Sequence, residues 1–264
     1  MTFQVAVVGG GSWGTTVAHL VSHNLPTKLW CRDQVVARSI SQKNRNIRYL
    51  GKNKLHPQLH ASVDLEEVVK NADIVLMAIP SMSFREVLRK LLPLSKPVTP
   101  IISLTKGLER ETNLTMTQVI ESESPGRPTG VLTGPNLAGE VLAGDATAAV
   151  VATENESLRA QAFQVFSTDT FRVYTSEDVV GCELGGAFKN VLALAVGMTT
   201  GLGNGDNTRA AVVTRGLAEL ARLGSAMGGA AETFSGLAGL GDLVATCFSP
   251  QSRNRYVGEQ LGKG

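Results

Sequence analysis

Along the first two-thirds of the chain, apolar residues gather in short blocks. Longer stretches separate them, in which apolar positions recur every three or four residues. The blocks at 3–8, 28–31, 73–79, 100–105, 130–133, 148–152 and 171–174 predict strands. The periodic stretches at 15–23, 34–41, 84–92, 114–121 and 157–166 predict helices between them. This alternation is the pattern of an α/β, doubly wound, parallel sheet wrapped by crossover helices. The polar stretch 43–60 predicts a loop with one helical turn. After residue 176 the strand signal stops, and 179–198, 209–222 and 252–261 all predict helices, joined by glycine-rich links at 201–205 and 224–229. The expected division is therefore an α/β domain over 1–175 and an all-helical domain over 176–264.

Composition narrows the class. With 264 residues, 43% hydrophobic and 18% charged, the chain is long and apolar enough for a substantial core. A net charge of +2 supplies no overall field toward nucleic acid or a membrane surface, so any anion must be bound locally. No uninterrupted apolar run reaches the length of a membrane span, and the start of the chain lacks the pattern of a signal peptide. Cys31, Cys182 and Cys247 are too few and too scattered for a disulfide framework or a zinc site. No metal is expected. These features predict a soluble cytoplasmic protein. Glycine is abundant, at 28 residues, which favours close backbone approaches.

The sharpest local motif is Gly9-Gly10-Gly11-Ser12-Trp13-Gly14, a GxGxxG sequence between a strand and an apolar helix. Gly9 would permit the tight turn, Gly11 would clear space for a pyrophosphate, and Gly14 would let the helix pack against the strand. Dinucleotide binding is the expected function of this turn. The tip of the second strand reads Arg32-Asp33. An arginine there suits the 2′-phosphate of NADP, a carboxylate the ribose hydroxyl of NAD. The signal is mixed, leaning toward NADPH.

Candidate catalytic chemistry lies further on. In the helix over 179–198, Leu184, Phe188, Val191, Leu192 and Ala195 form an apolar stripe. Lys189 falls on another face with Gly185, Gly186 and Ala193, small neighbours that would leave room for a ligand and partly desolvate the ammonium. A lone lysine of this kind can also snorkel to solvent, but further polar groups cluster at strand ends and turns. Lys106 follows the fourth long strand block, and Gly134-Pro135-Asn136 follows the next. Asp242 ends a glycine-interrupted turn, and Ser252-Arg253-Asn254 opens a helix with the donors a phosphate requires. His19, His23, His56 and His60 have no neighbours that suggest catalysis.

Taken together, Gly9–Gly14 with Trp13, Thr105-Lys106-Gly107-Leu108-Glu109, Gly134-Pro135, residues 183–190, residues 214–219, residues 238–242 and residues 251–255 closely resemble the bacterial-type NAD(P)-dependent glycerol-3-phosphate dehydrogenases across the whole chain. The resemblance implies a Rossmann-type domain followed by a helical substrate domain. It implies a homodimer in the cytoplasm that interconverts dihydroxyacetone phosphate and sn-glycerol 3-phosphate for glycerophospholipid synthesis. Ser12, Trp13, Arg32, Lys106 and Ala138 would contact the cofactor. Lys106, Gly134, Asn136, Lys189, Asp242, Ser252, Arg253 and Asn254 would line the substrate site, with Arg253 also reaching the cofactor. Lys189 would give and take the proton. Asp242 would orient Lys189 or bind a substrate hydroxyl.

Two departures stand out. Asn136 replaces the usual Ser or Thr of the family. Family members also continue for several helices beyond the position of Gly264, including a Glu near the cofactor, so the chain reads as truncated. The competing functions are another NADP-linked dehydrogenase with a catalytic lysine, or a nucleotide-binding protein left inactive by truncation.

Overall fold

The computed structural model describes residues 3–264. Its elements run β1 (Val5–Val8), α1 (Ser12–Val21), β2 (Thr27–Trp30), α2 (Gln34–Lys43), α3 (Ile47–Leu50), β3 (His60–Ser62), α4 (Leu65–Val69), β4 (Ile74–Met77) and α5 (Ser81–Leu91). They continue with β5 (Ile101–Ser103), α6 (Met116–Glu123), β6 (Thr129–Thr133), α7 (Ala138–Ala143), β7 (Thr147–Ala152), α8 (Glu156–Phe166) and β8 (Phe171–Ser176). The helical part follows: α9 (Val179–Gly201), α10 (Asp206–Ala226), α11 (Ala231–Ser235), α12 (Asp242–Phe248) and α13 (Arg253–Lys263).

The eight strands form one sheet in the order β3-β2-β1-β4-β5-β6-β7-β8. Strand order reverses at β1, and the crevice beside such a switch point is where doubly wound sheets bind ligands. All neighbours pair in parallel except β6 and β7, where Leu132 faces Val151 in an antiparallel register. The expected all-parallel sheet is therefore corrected at this one pair. The short link of α7 lets the chain return beside β6 in the opposite sense, without a crossover.

Strands buried on both sides read as continuous apolar runs, and all four residues of β1 are buried. Val5 and Val7 join Leu29, Leu76 and Phe166 on one face, while Ala6 and Val8 join Met77, Phe84 and Leu88 on the other. This alternation is the pleat expressed as two cores. The stretch expected as a loop contains the single helical turn α3 and ends in β3. The sequence patterns of β3 and α4 are too short, at three and five residues, for periodicity to register.

In α9 the expected stripe is largely buried, with Leu184 in the core beside Leu220 and Phe234 and with Phe188 and Leu192 packed against it, and a second buried face lies alongside. Gly185, Gly186, Lys189, Ala193, Val196 and Gly197 are buried, whereas Val191 is exposed. Small residues win this face because backbone packs on it. A Cβ on Gly197 would stand 2.1 Å from the Arg255 carbonyl oxygen, and one on Gly258 would stand 2.0 Å from that of Leu194. Thus α13 lies directly on α9. By length and a mean hydropathy of 1.5, α9 could cross a membrane, but half of that stretch is buried inside the protein.

One buried carboxylate ties this helix to the sheet layer. Glu183 on α9 accepts hydrogen bonds from the Thr117 backbone N–H (3.0 Å) and the Thr117 hydroxyl, at the start of α6. Burial pushes its carboxyl pKa up, and these hydrogen bonds oppose the rise.

The α9–α13 contact makes a signed prediction. Helix propensity alone would make Gly258→Ala stabilising by about 1 kcal/mol. The clash with the Leu194 carbonyl should instead destabilise the protein by about 1–3 kcal/mol, the usual cost of overpacking. Urea unfolding measures the sign, and a stabilised variant would contradict the packing.

Candidate active site

The site is assembled from the ends of β1, β2, β5 and β6 and from three helices beyond them. At the end of β1, Gly9 takes φ +127°, which a side chain would strain. A Cβ on Gly14 would stand 2.0 Å from the Gly9 carbonyl oxygen, so α1 can start this close to the strand only with glycine there. A Cβ on Gly11 would meet no atom within 4 Å, which leaves that face of the turn open. No side chain caps the start of α1. Its first amide groups are thus available to an anion. Ser12 and Trp13 open the helix, both half-buried. Ala138 begins α7, and its carbonyl accepts a 3.4 Å hydrogen bond from Thr16 of α1.

Sequence reasoning missed the partner of this turn. Asn46 is fully buried and its amide donates to the Gly10 carbonyl (3.0 Å) and to the Thr15 hydroxyl (2.8 Å). The signal was weak, because the residue lies in a polar stretch without periodicity. Gly10, given no role from sequence, is pressed against Cys31: a Cβ there would stand 2.4 Å from its sulfur.

The charged centre is built around Asp242. A π-helical turn over Leu237–Gly241 leads into α12 and delivers Asp242 at its first residue, 2% exposed. The expected glycine-interrupted turn is present and is helically wound, with the Gly241 N–H bonded to the Gly236 carbonyl at 3.0 Å. Such turns recur at functional sites. Lys106 donates to Asp242 Oδ2 (2.5 Å) and to the Gly134 carbonyl (3.1 Å), while Lys189 donates to Asp242 Oδ1. Lys189 also donates to the Thr246 hydroxyl (2.8 Å), which in turn donates to the Asp242 carbonyl (2.7 Å). Thr246 escaped the sequence analysis, although its i+4 spacing from Asp242 on a helix was available as a signal.

Gly185 and Gly186 perform a different task from the one expected. The space above them holds protein. A Cβ on Gly185 would stand 2.6 Å from the Ala238 carbonyl oxygen, and one on Gly186 would stand 3.1 Å from the Thr133 hydroxyl and 3.4 Å from Lys106 Cγ. The expected desolvation of Lys189 is present: the residue is 7% exposed. Burial and the neighbouring Lys106 ammonium pull its pKa down to about 7, against the attraction of Asp242.

Near this centre, both polar atoms of the Asn136 amide and the Thr133 hydroxyl are buried without partners among the described residues. Buried polar atoms without a protein partner are groups that a bound ligand or water could satisfy. Ser252 is buried and caps α13, accepting from the Arg255 N–H (3.2 Å). Asn254 donates to Asn190 (2.8 Å), beside Lys189, so the start of α13 is bound to α9. Arg253 and Arg32 are both exposed. The loop carrying Lys106 is fixed by Glu109, whose two oxygens each accept from Arg85 at 2.7 Å. Hydrogen bonds from Arg85 and Thr112 lower the Glu109 carboxyl pKa to about 2. The histidines stand apart: His19 accepts from the His56 N–H (2.8 Å), and burial lowers its pKa to about 4.

Comparison with known proteins shows what the chain is similar to. Residues 4–159 match the family described as NAD-dependent glycerol-3-phosphate dehydrogenase N-terminus, and residues 178–264 match its C-terminus counterpart. The chain is 54% identical over 264 residues to glycerol-3-phosphate dehydrogenase (NAD(P)+) 2 of Sphingopyxis alaskensis, covering 100% of this chain and 79% of that one. It is 52% identical over 262 residues to glycerol-3-phosphate dehydrogenase (NAD(P)+) 1 of Mycobacterium tuberculosis, covering 99% and 77%. The crystal structure of glycerol-3-phosphate dehydrogenase from Coxiella burnetii superposes with a TM-score of 0.95 at 39% identity, covering 100% of this chain and 81% of that one.

The buried ammonium can be observed directly. In a protein labelled with ¹³C at lysine Cε, one resonance should titrate near pH 7 rather than at about 10.4, and Lys189→Arg should abolish it. If every lysine signal moved only above pH 9, the electrostatic description of Lys189 would be wrong.

Proposed function

The chain belongs to the NAD-dependent glycerol-3-phosphate dehydrogenase family, and from that premise we propose how its own residues carry the reaction. It is an oxidoreductase that interconverts dihydroxyacetone phosphate and sn-glycerol 3-phosphate with NAD(P)H. The observation that carries the mechanism is the buried Lys189 ammonium held by Asp242 and Thr246.

The open face at Gly11 and the uncapped start of α1 fit the pyrophosphate of a dinucleotide. Bound there, the reduced nicotinamide supplies the hydride. Reduction turns the neutral C2 carbonyl of dihydroxyacetone phosphate into an alkoxide, so the oxygen needs a cationic donor. An ammonium has three N–H groups, and Lys189 commits two of them to Asp242 and Thr246. The third stabilises the developing charge and then transfers its proton. A pKa of about 7 suits both directions, because the ammonium donates during reduction and the amine accepts during oxidation. Asp242 acts as the orienting group, and the third N–H of Lys106 remains for a substrate oxygen. Asn136, with both ends of its amide unpartnered, follows two residues after Gly134, whose carbonyl accepts from Lys106, and offers its amide to the substrate.

Arg253, beside Ser252 and Asn254 at the start of α13, anchors the substrate phosphate. Binding energy from that remote group orients C2 for reaction. In this reading residues 1–175 hold the cofactor and 176–264 the substrate. Arg32 is exposed, while the neighbouring Asp33 carboxylate is already engaged by Val35, Val36 and Arg48. This favours NADPH over NADH. Buried free cysteines suit a reducing cytoplasm, and exposed Leu202 and Phe248 on the helical part offer apolar surface for a homodimer.

Two variants test the assignment. Lys189→Ala should lower turnover by about 10²–10⁴, the scale of a positioned acid–base group, while NADPH still binds. Near-normal turnover would remove Lys189 from its role. Arg253→Ala should reduce kcat/KM more for dihydroxyacetone phosphate than for dihydroxyacetone, and an equal loss for both would exclude a phosphate contact.

A further inference from the structure

The tip of β2 carries a charge arrangement that the pairing of Arg32 with Asp33 does not by itself explain. Asp33 caps α2: its Oδ1 accepts from the backbone N–H groups of Val35 (2.8 Å) and Val36 (3.4 Å). Its Oδ2 accepts from the Arg48 guanidinium at 2.6 Å. A carboxylate at this point of a dinucleotide fold ordinarily takes the ribose hydroxyls of NAD. Here both oxygens are occupied by protein donors.

Arg48 comes from α3, a separate segment that is fastened to the phosphate-binding turn. Asn46, two residues earlier, is the buried amide bound to Gly10 and Thr15, and its own Oδ1 accepts from the Tyr49 N–H (3.3 Å). The Ser12 hydroxyl donates to the Tyr49 carbonyl (3.4 Å). The Arg48 guanidinium lies 5.4 Å from the centre of the Tyr49 ring, a cation–π distance. Its position is thus set relative to the turn and to the end of β2 together. Arg32, on the same strand tip, is exposed and has no ion pair or hydrogen bond among the described residues.

We infer that Arg48 is a specificity-determining residue for the cofactor, joining Arg32 around the adenosine 2′-phosphate of NADPH while holding Asp33 away from the ribose hydroxyls of NADH. This rests on the NADPH preference proposed above. The exposed Arg48–Asp33 pair, with side chains 63% and 37% exposed, contributes little to stability. A cofactor role gives the arrangement a different purpose, since a guanidinium on a fixed segment can form paired bonds to phosphate.

The test is calorimetric titration of the full chain and its Arg48→Ala and Arg48→Gln variants with NADPH and NADH at one ionic strength. Both variants should raise the Kd for NADPH about tenfold or more, the scale of a lost arginine–phosphate contact, with the Kd for NADH unchanged or lowered. Their unfolding midpoints should match the parent. An equal weakening of both cofactors, or no weakening of NADPH, would overturn the inference. The parent titrations read separately: equal affinity for the two cofactors would remove the proposed NADPH preference, while the selective effect of the Arg48 variants still decides the role of that residue.

Discussion

The site depends on one buried carboxylate shared between two lysines. Asp242 is 2% exposed, and it binds Lys106 from the sheet layer and Lys189 from the helical layer. Removing three charges from water is costly, and such a cluster persists only where geometry is good and the remaining donors find partners. Here the Gly134 carbonyl and the Thr246 hydroxyl complete the cluster. When both lysines are protonated the three charges sum to one positive unit, which gives the cluster an attraction for an anionic ligand that an isolated lysine–carboxylate pair would lack.

Much of the surrounding structure exists to bring those three residues together. Gly185 lets the Ala238 carbonyl approach α9, and Gly186 makes way for the Lys106 side chain. Glu183 binds α9 to the start of α6 six positions before Lys189, so the height of that helix against the sheet is fixed. Glu109 and Arg85 hold the loop from which Lys106 extends. None of these groups need touch substrate, yet each limits how far the two ammonium groups can drift from the carboxylate between them.

The legible parts of the sequence were those governed by local rules. The glycine turn could be read because only particular positions tolerate a positive φ or a missing Cβ, and Lys189 because a charge on an apolar helix is conspicuous. The division between sheet and helices followed from a change of hydrophobic period. What could not be read depends on contacts distant along the chain. Asn46 is bound to residues 31 and 36 positions away, and nothing in its neighbourhood distinguishes it from the polar stretch around it. The burial of a glycine face of α9 in addition to its aliphatic stripe follows from backbone that packs on it, including that of α13, whose approach no periodicity encodes. Likewise the antiparallel β6–β7 pair is a matter of chain direction, to which a pattern of apolar residues is blind.

That reversal reaches into the chemistry. Since β7 and β8 run against the first six sheet-ordered neighbours, the chain leaves the sheet at the rim opposite the glycine turn, and α9 must climb back toward the ligands. The Lys189 nitrogen is therefore placed by a count of helical residues, each worth about 1.5 Å of rise and about 100° of rotation. Inserting or deleting one residue between Ser176 and Lys189 would swing the amine to another face of its helix and leave Asp242 facing a neighbour. Over this stretch the gene is held to one length as well as to its glycines and Glu183, whereas the turn between α9 and α10 carries no such ruler.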